Sequence, residues 1–225
     1  MRVFITAATI DEWMPSFLEM NTLYTSESKR LKVMFHQGGV GLLASTVSIM
    51  KLVYEEKPDL IIQVGIAGCF DKSMKLGNVV AVKEDMLGDT GVEEEGKWKD
   101  IFDLKLEKPG YPPFEKKRLP NHHLEKYNLL KLPEVAAVTI NEVSTRPDRI
   151  QQLIKKYNPS LESMEGAAFF YCCKMASVPF IGLRTVSNFV ERRDKSNWNV
   201  TLAIKNLNDE AIKILEELLQ LKKSI

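Results

Sequence analysis

The sequence has few cysteines, almost no net charge and no long apolar run. Its three cysteines, two of them adjacent at Cys172 and Cys173, form no disulfide framework and match neither a redox nor a zinc spacing. The three histidines, His36, His122 and His123, have no metal-ligand spacing, so neither a metal nor another cofactor is expected. Thirty-one Lys and Arg stand against 30 Asp and Glu, a net charge of +1, which leaves no electrostatic footprint for nucleic acid. No apolar stretch has the length of a membrane span. The apolar N-terminal run reaches Asp11 and Glu12 too soon for a signal peptide. These absences exclude membrane, nucleic-acid and disulfide-scaffold classes. They leave a reduced, cytoplasmic protein with a small-molecule partner as the expectation.

What is present is an ordinary globular composition, 44% hydrophobic and 27% charged over 225 residues. Apolar, often β-branched runs at Arg2–Ala8, Leu31–Phe35, Leu60–Gly65, Val79–Val82, Val135–Thr139 and Phe180–Val186 predict short strands covered on both faces. Helical periodicity occupies Ala44–Tyr54, Arg146–Tyr157, Glu165–Met175 and about Val200 to Lys222. Strands alternating with helices predict an α/β three-layer sandwich with a mixed, largely parallel central sheet, in a single domain spanning residues 1–225. From Gly88 to Pro133, prolines and charge runs break the periodicity, and an irregular surface excursion is expected there.

Ligands of α/β folds sit beyond the carboxyl ends of strands, and four such places are chemically unusual. After the first run, Glu12 is either a general base towards water or a plain first-turn helix carboxylate. Val64-Gly65-Ile66-Ala67-Gly68-Cys69 is either a set of backbone amides around Ala67 and Gly68 facing a ligand or a tight turn. Glu165, within Glu162-Ser163-Met164-Glu165-Gly166-Ala167-Ala168, opens an apolar helix. Its two oxygens suit a diol, and Met164 suits a sugar face; a helix-start carboxylate over a core methionine is the other reading. Asn188 and Asp194 follow the last strand, placed either for a polar ring or for an Asx-turn and a helix cap.

Taken together, Ala-Thr-x-x-Glu, Gly39-Val40-Gly41, Val-Gly-Ile-Ala-Gly, Ser-Met-Glu-Gly-Ala-Ala and Ser187-Asn188 resemble, in that order, the nucleoside phosphorylase and nucleosidase superfamily. Leu76-Gly77-Asn78-Val79-Val80 adds a similar strand entry, with Asn where the family carries Asp. The run Glu162 to Phe169 and the Ser-Asn-x-Val-x-x-Arg-Asp pattern from Arg184 towards Trp198 resemble futalosine hydrolases, nucleosidases of menaquinone biosynthesis. Glu191 departs from the glycine expected before the Arg-Asp pair.

The resemblance implies a homodimer or higher homo-oligomer and a purine nucleoside N-ribosyl hydrolase. It implies that Glu12 activates water, Glu165 holds the ribose hydroxyls, Ser163 and Met164 line the sugar, and Asn188 meets the purine, with Asp194 nearby. Superfamily phosphorylases hold phosphate with arginines, whereas Gln63 and Ile66 stand at the corresponding turn here, so water is the expected nucleophile. An amide at position 188 pairs with the oxo group of hypoxanthine, which points to futalosine as substrate. The alternatives are a methylthioadenosine or adenosylhomocysteine nucleosidase, a phosphorylase, and a non-catalytic nucleoside sensor.

Overall fold

The computed structural model describes residues 1–23 and 31–221. Period-two alternation sorts the first and third strands between two cores. In β1 (Arg2–Ala7), Val3 and Ile5 face one side and Phe4 the other. In β3 (Leu60–Gln63), Leu60 and Ile62 join Val3 and Ile5, while Ile61 joins Phe4. The first side is covered by α1 (Met14–Leu23) and α6 (Val200–Leu221), which contribute Trp13, Met20, Leu207, Ile214 and Leu215 next to or along those helices. The second is covered by α2 (Gly41–Glu56) and α5 (Gly166–Met175) through Ile49, Leu52, Phe169 and Phe170. Strands apolar on both faces are therefore buried on both faces, the three-layer arrangement the sequence predicts.

The remaining main-sheet strands are β2 (Lys32–Gln37), β4 (Ile66–Cys69), β5 (Val79–Leu87), β8 (Leu119–Pro120), β9 (Glu134–Thr139), β10 (Leu161–Ser163) and β11 (Phe180–Phe189). Nine strands run in the order β2-β1-β3-β11-β4-β10-β9-β5-β8, and β5 also pairs with β11. The sheet thus curls until β11, β4, β10, β9 and β5 close a ring. The β10–β4, β11–β5 and β5–β8 ladders are antiparallel and the others parallel, a mixed, mostly parallel sheet.

Helix α4 (Pro147–Tyr157) begins on a proline and ends where Asn158 takes the left-handed conformation. The expected final helix runs to Leu221, and Lys222 lies outside the described residues. Two points differ from the sequence reading. Of the two readings of residues 64–69 the tight turn falls, since Ile66–Cys69 is a strand paired on both edges, to β10 and β11. The segment from Gly88 to Pro133 is also less irregular than its prolines imply. It holds a hairpin of β6 (Gly91–Glu94) and β7 (Lys97–Asp100), then β8 and α3 (Leu124–Tyr127). Glu95 and Gly96, both at positive φ, make the hairpin turn. The hairpin is tied to α4 by Trp98, which donates to the Tyr157 hydroxyl at 2.9 Å, and by Lys156 at 3.2 Å from Asp100.

Candidate active site

The carboxyl ends of β1, β9, β10 and β11, with β4 running between β10 and β11, open onto one cleft of about 360 Å³. Among the sequence-predicted residues, Glu12, Ala67, Gly68, Ser163, Met164, Glu165 and Asn188 all line it. Asp194 does not. It is exposed, and its carboxylate caps the short 3₁₀ helix Lys195–Asn197 by accepting from the Ser196 amide at 3.0 Å and hydroxyl at 2.7 Å. Those local bonds also hold its carboxyl below the usual range. The capping alternative is the one this structure contains.

Glu12 ends the 3₁₀ helix Ile10–Glu12. Its Oε2 accepts from the Thr9 amide at 3.0 Å and hydroxyl at 3.2 Å, and its Oε1 accepts from the Ile66 amide at 3.2 Å. One carboxylate therefore joins the ends of two strands, β1 and β4. Gly65 permits this closeness, since a Cβ there would stand 3.3 Å from Glu12 Oε1.

Glu165 precedes α5 but makes no side-chain cap of its own helix. Its Oε1 instead accepts from the amide of Gly41, the first residue of α2, at 2.9 Å. Gly41 is at φ +82°, a conformation open to glycine. Burial raises the Glu165 carboxyl, and the charge of Glu12 adds to the rise; the Gly41 amide and Arg184 oppose it. Two carboxylates thus face one cleft closely enough to sense each other's charge.

Arg184 is 3% exposed and bonded to Gln63 Oε1 and, at 2.9 Å, to the Leu183 carbonyl. Desolvation lowers its guanidinium, while Glu165, Asp85 and Glu12 hold it up. It is the cation shared by the site's carboxylates. Asp85 is the buried member of the group. Burial lifts its carboxyl to about 7, against the opposing bond from Thr139, whose hydroxyl donates at 2.8 Å.

At the other end of the cleft, Asn188 and Glu162 both lie in register with Gly68 from opposite sides. A Cβ on Gly68 would meet Val190 Cγ2 at 2.9 Å and Asn188 Nδ2 at 3.3 Å, so the floor must be bare there. Asn188 Oδ1 accepts from the Ser187 hydroxyl at 2.8 Å, and Nδ2 donates to the Phe189 carbonyl at 3.1 Å. This bonding pattern turns the amide nitrogen towards the space above Gly68.

Val40, Ile140, Val143, Trp198, Val200 and Ile204 supply the apolar walls, none of them given a site role from the sequence. Ile140 and Val143 follow β9, so the strand-end rule reaches them; Trp198 and Ile204 come from the entry to α6 and carry no local signal. His36 takes no part, held between Thr6 and Ser48 at 2.9 and 3.0 Å. No group of three or more potential metal ligands occurs among the described residues. No described helix is long and apolar enough to cross a membrane.

Comparison with known proteins gives the same fold. The chain is 28% identical over 180 residues to futalosine hydrolase of Thermus thermophilus, covering 80% of this chain and 79% of that one. It is 25% identical over 213 residues to the 5′-methylthioadenosine/S-adenosylhomocysteine nucleosidase of Pseudoalteromonas translucida, covering 88% and 85%. The solved futalosine hydrolase of Helicobacter pylori superposes with a TM-score of 0.77 over 96% of this chain and 97% of that one, at 15% identity. With a family model matching residues 16–220, the chain belongs to the phosphorylase superfamily.

Proposed function

We propose that the chain is a single-domain purine nucleoside N-ribosyl hydrolase of the cytoplasm, working on futalosine and releasing hypoxanthine. The observation that carries the hydrolytic reading is Glu12. Its Oε1 accepts the Ile66 amide, at the turn where a phosphorylase would seat phosphate, and Gln63 is spent on Arg184. A phosphate dianion there would meet a carboxylate in place of a donor. A water molecule meets a base.

In this reading Glu12 takes a proton from water as its oxygen attacks C1′. The C1′–N9 bond breaks with its electron pair leaving on the purine, which takes a proton from solvent, while Glu12 returns to solvent the proton it took from water. Positive charge develops on the ribosyl ring, and Glu165 both accepts the ribose hydroxyls and opposes that charge. Met164 packs on the sugar. Asn188 donates from Nδ2 to the purine edge bearing O6 and N7, which supports a 6-oxopurine, since a 6-amino group would need an acceptor there.

A second reading, hydrolysis of methylthioadenosine or adenosylhomocysteine, is favoured by the longer match to the Pseudoalteromonas nucleosidase. Incubating the purified chain without phosphate, with futalosine and separately with methylthioadenosine, and following base release, decides between them. Release from futalosine is expected. Release from methylthioadenosine alone overturns the substrate, and strict phosphate dependence overturns the hydrolase. Tight binding without turnover favours a sensor.

A homodimer is part of the same proposal. Leu43, Val47 and Tyr54 stand 81%, 63% and 72% exposed along one face of α2, beside the exposed Tyr171 and Met175 of α5. This apolar surface runs to Val40 at the cleft, and a second copy would cover it.

A further inference from the structure

One buried polar side chain of α6 is connected in a way that a core position does not require. Asn208 is 3% exposed and uses both ends of its amide. Its Nδ2 donates to the Glu12 carbonyl at 2.9 Å and to the Ile204 carbonyl, one turn back on α6, at 2.7 Å. Its Oδ1 accepts from the Ser16 amide at 2.9 Å and from the Ser16 hydroxyl at 2.5 Å. Both amide hydrogens and both lone pairs are thus taken, and the backbone partners fix which end is oxygen. Ser16 is itself 1% exposed, so water does not compete for these bonds.

The two partners at the N-terminal end matter most. Ser16 is the third residue of α1, and Glu12 is the last of the 3₁₀ helix before it. They stand at the spacing where a continuous α-helix would bond the Ser16 amide to the Glu12 carbonyl. The next pair along makes that bond, the Phe17 amide to the Trp13 carbonyl at 3.1 Å. Between Ser16 and Glu12 the Asn208 amide takes both groups instead, and a side chain inserted into the ladder bends the chain there. From that bend the Glu12 carboxylate reaches the Thr9 and Ile66 amides at the cleft. We infer that Asn208 is a positioning residue for the reaction, wedging the chain open so that Glu12 is aimed at the attacking water. This rests on the hydrolase reading, through the role of Glu12. Without the wedge, the Ser16 amide and the Glu12 carbonyl are left to bond each other, which continues α1 backwards and draws the base away from Ile66.

The test is a double-mutant cycle of Asn208→Leu and Glu12→Gln on the full chain. It is read as kcat and KM for base release from futalosine, or from methylthioadenosine if the native chain cleaves that instead. Leucine has a similar volume and no hydrogen bond to offer. Asn208→Leu is expected to lower kcat about 10- to 100-fold, the range in which a misplacement of about 1 Å is felt, with KM near native. In the Glu12→Gln background the same substitution should cost nothing further, because the group it aims is gone. Leu215→Ala, a buried truncation two turns further along α6, weakens the fold without touching Glu12 and should leave kcat unchanged while the chain is folded. Asn208→Asp keeps an acceptor for Ser16 and loses the donation to the two carbonyls; it carries the same cycle if circular dichroism shows the leucine variant unfolded. An equal loss of kcat with and without the Glu12 carboxylate overturns the inference. So does a native kcat in Asn208→Leu, or a loss confined to KM, which would put the effect on the α6 wall at Ile204. A native chain that cleaves neither nucleoside overturns the hydrolase reading itself, and the inference with it.

Discussion

Gly166 gives the sharpest mechanical test of how the site is built. A Cβ added there would lie 2.0 Å from Asp85 Oδ2 and 3.1 Å from Asp85 Cγ. The carboxylate has nowhere to go: Asp85 is 1% exposed, and its Oδ1 is held by the Met86 amide and the Thr139 hydroxyl, each at 2.8 Å. The same Thr139 hydroxyl accepts from the Ala167 amide at 2.7 Å, so the start of α5 is locked to the group it would have to avoid. In Gly166→Ala either those bonds to a buried carboxyl break, or the helix start carrying Glu165 retreats. Overpacking and lost hydrogen bonds each cost on the order of 1–3 kcal/mol, and the better helix propensity of alanine returns about 1. The net expectation is a loss of about 2–4 kcal/mol, a fall in melting temperature of roughly 5–15 °C for a chain of this size. Gly110→Ala is the control, since nothing lies within 4 Å of its added Cβ. Thermal unfolding followed by circular dichroism reads both. Gly166→Ala melting with the native protein, or above it, would refute the packing argument for the site.

Three further outcomes follow from the same geometry. Glu12→Gln should lower kcat by about 10²–10⁴, the usual worth of a general base, with KM changed far less; an intact kcat in steady-state assays removes Glu12 from that role. Burial raises the Asp85 carboxyl from 3.8 to about 7, so its stabilising contribution is complete below the lower value and is lost as pH rises through the upper one. Asp85→Asn should therefore gain on the native protein between pH 4 and 8, by on the order of 4 kcal/mol from a shift of about three pH units; parallel urea-denaturation profiles against pH would contradict this. Leu43→Glu puts a charge into the exposed α2 face and should turn a dimer into monomer in sedimentation velocity, whereas unchanged mass places any contact elsewhere.

Much of the fold was legible because buried parallel strands leave unbroken apolar runs, as at Leu60–Gln63, and because α6 keeps one stripe over six turns. The shorter elements were not. β10 has three residues, and β4 is Ile66-Ala67-Gly68-Cys69, too small-sided to look like a strand until neighbours on both edges pair with it. Seven of the eight expected site residues meet in the cleft because strand ends are where α/β folds collect ligands. Asp194 was misplaced by the same rule: closeness in sequence to Asn188 says nothing about direction, and a local cap turned it outward. Glu162 lies three residues before Glu165, yet its place opposite Asn188 depends on β4 running between them, which no one-dimensional pattern contains.

The way charge is distributed explains why this superfamily fold would favour water over phosphate. Glu12, Glu165 and Asp85 share one fully buried cation, Arg184. Burial raises the carboxyls of Asp85 and Glu165, and the charge of Arg184 opposes that rise at both. Three acids set against one cation leave an excess of acidic groups about a poorly solvated place, where charges act strongly. That excess repels a dianionic nucleophile and attracts a ribosyl cation, so one arrangement both excludes phosphorolysis and favours the transition state of hydrolysis. Replacing Gln63 with Arg would test the first half of this logic. A second cation beside Arg184 would have to be held by Glu12, so it should lower hydrolysis before it creates any dependence on phosphate.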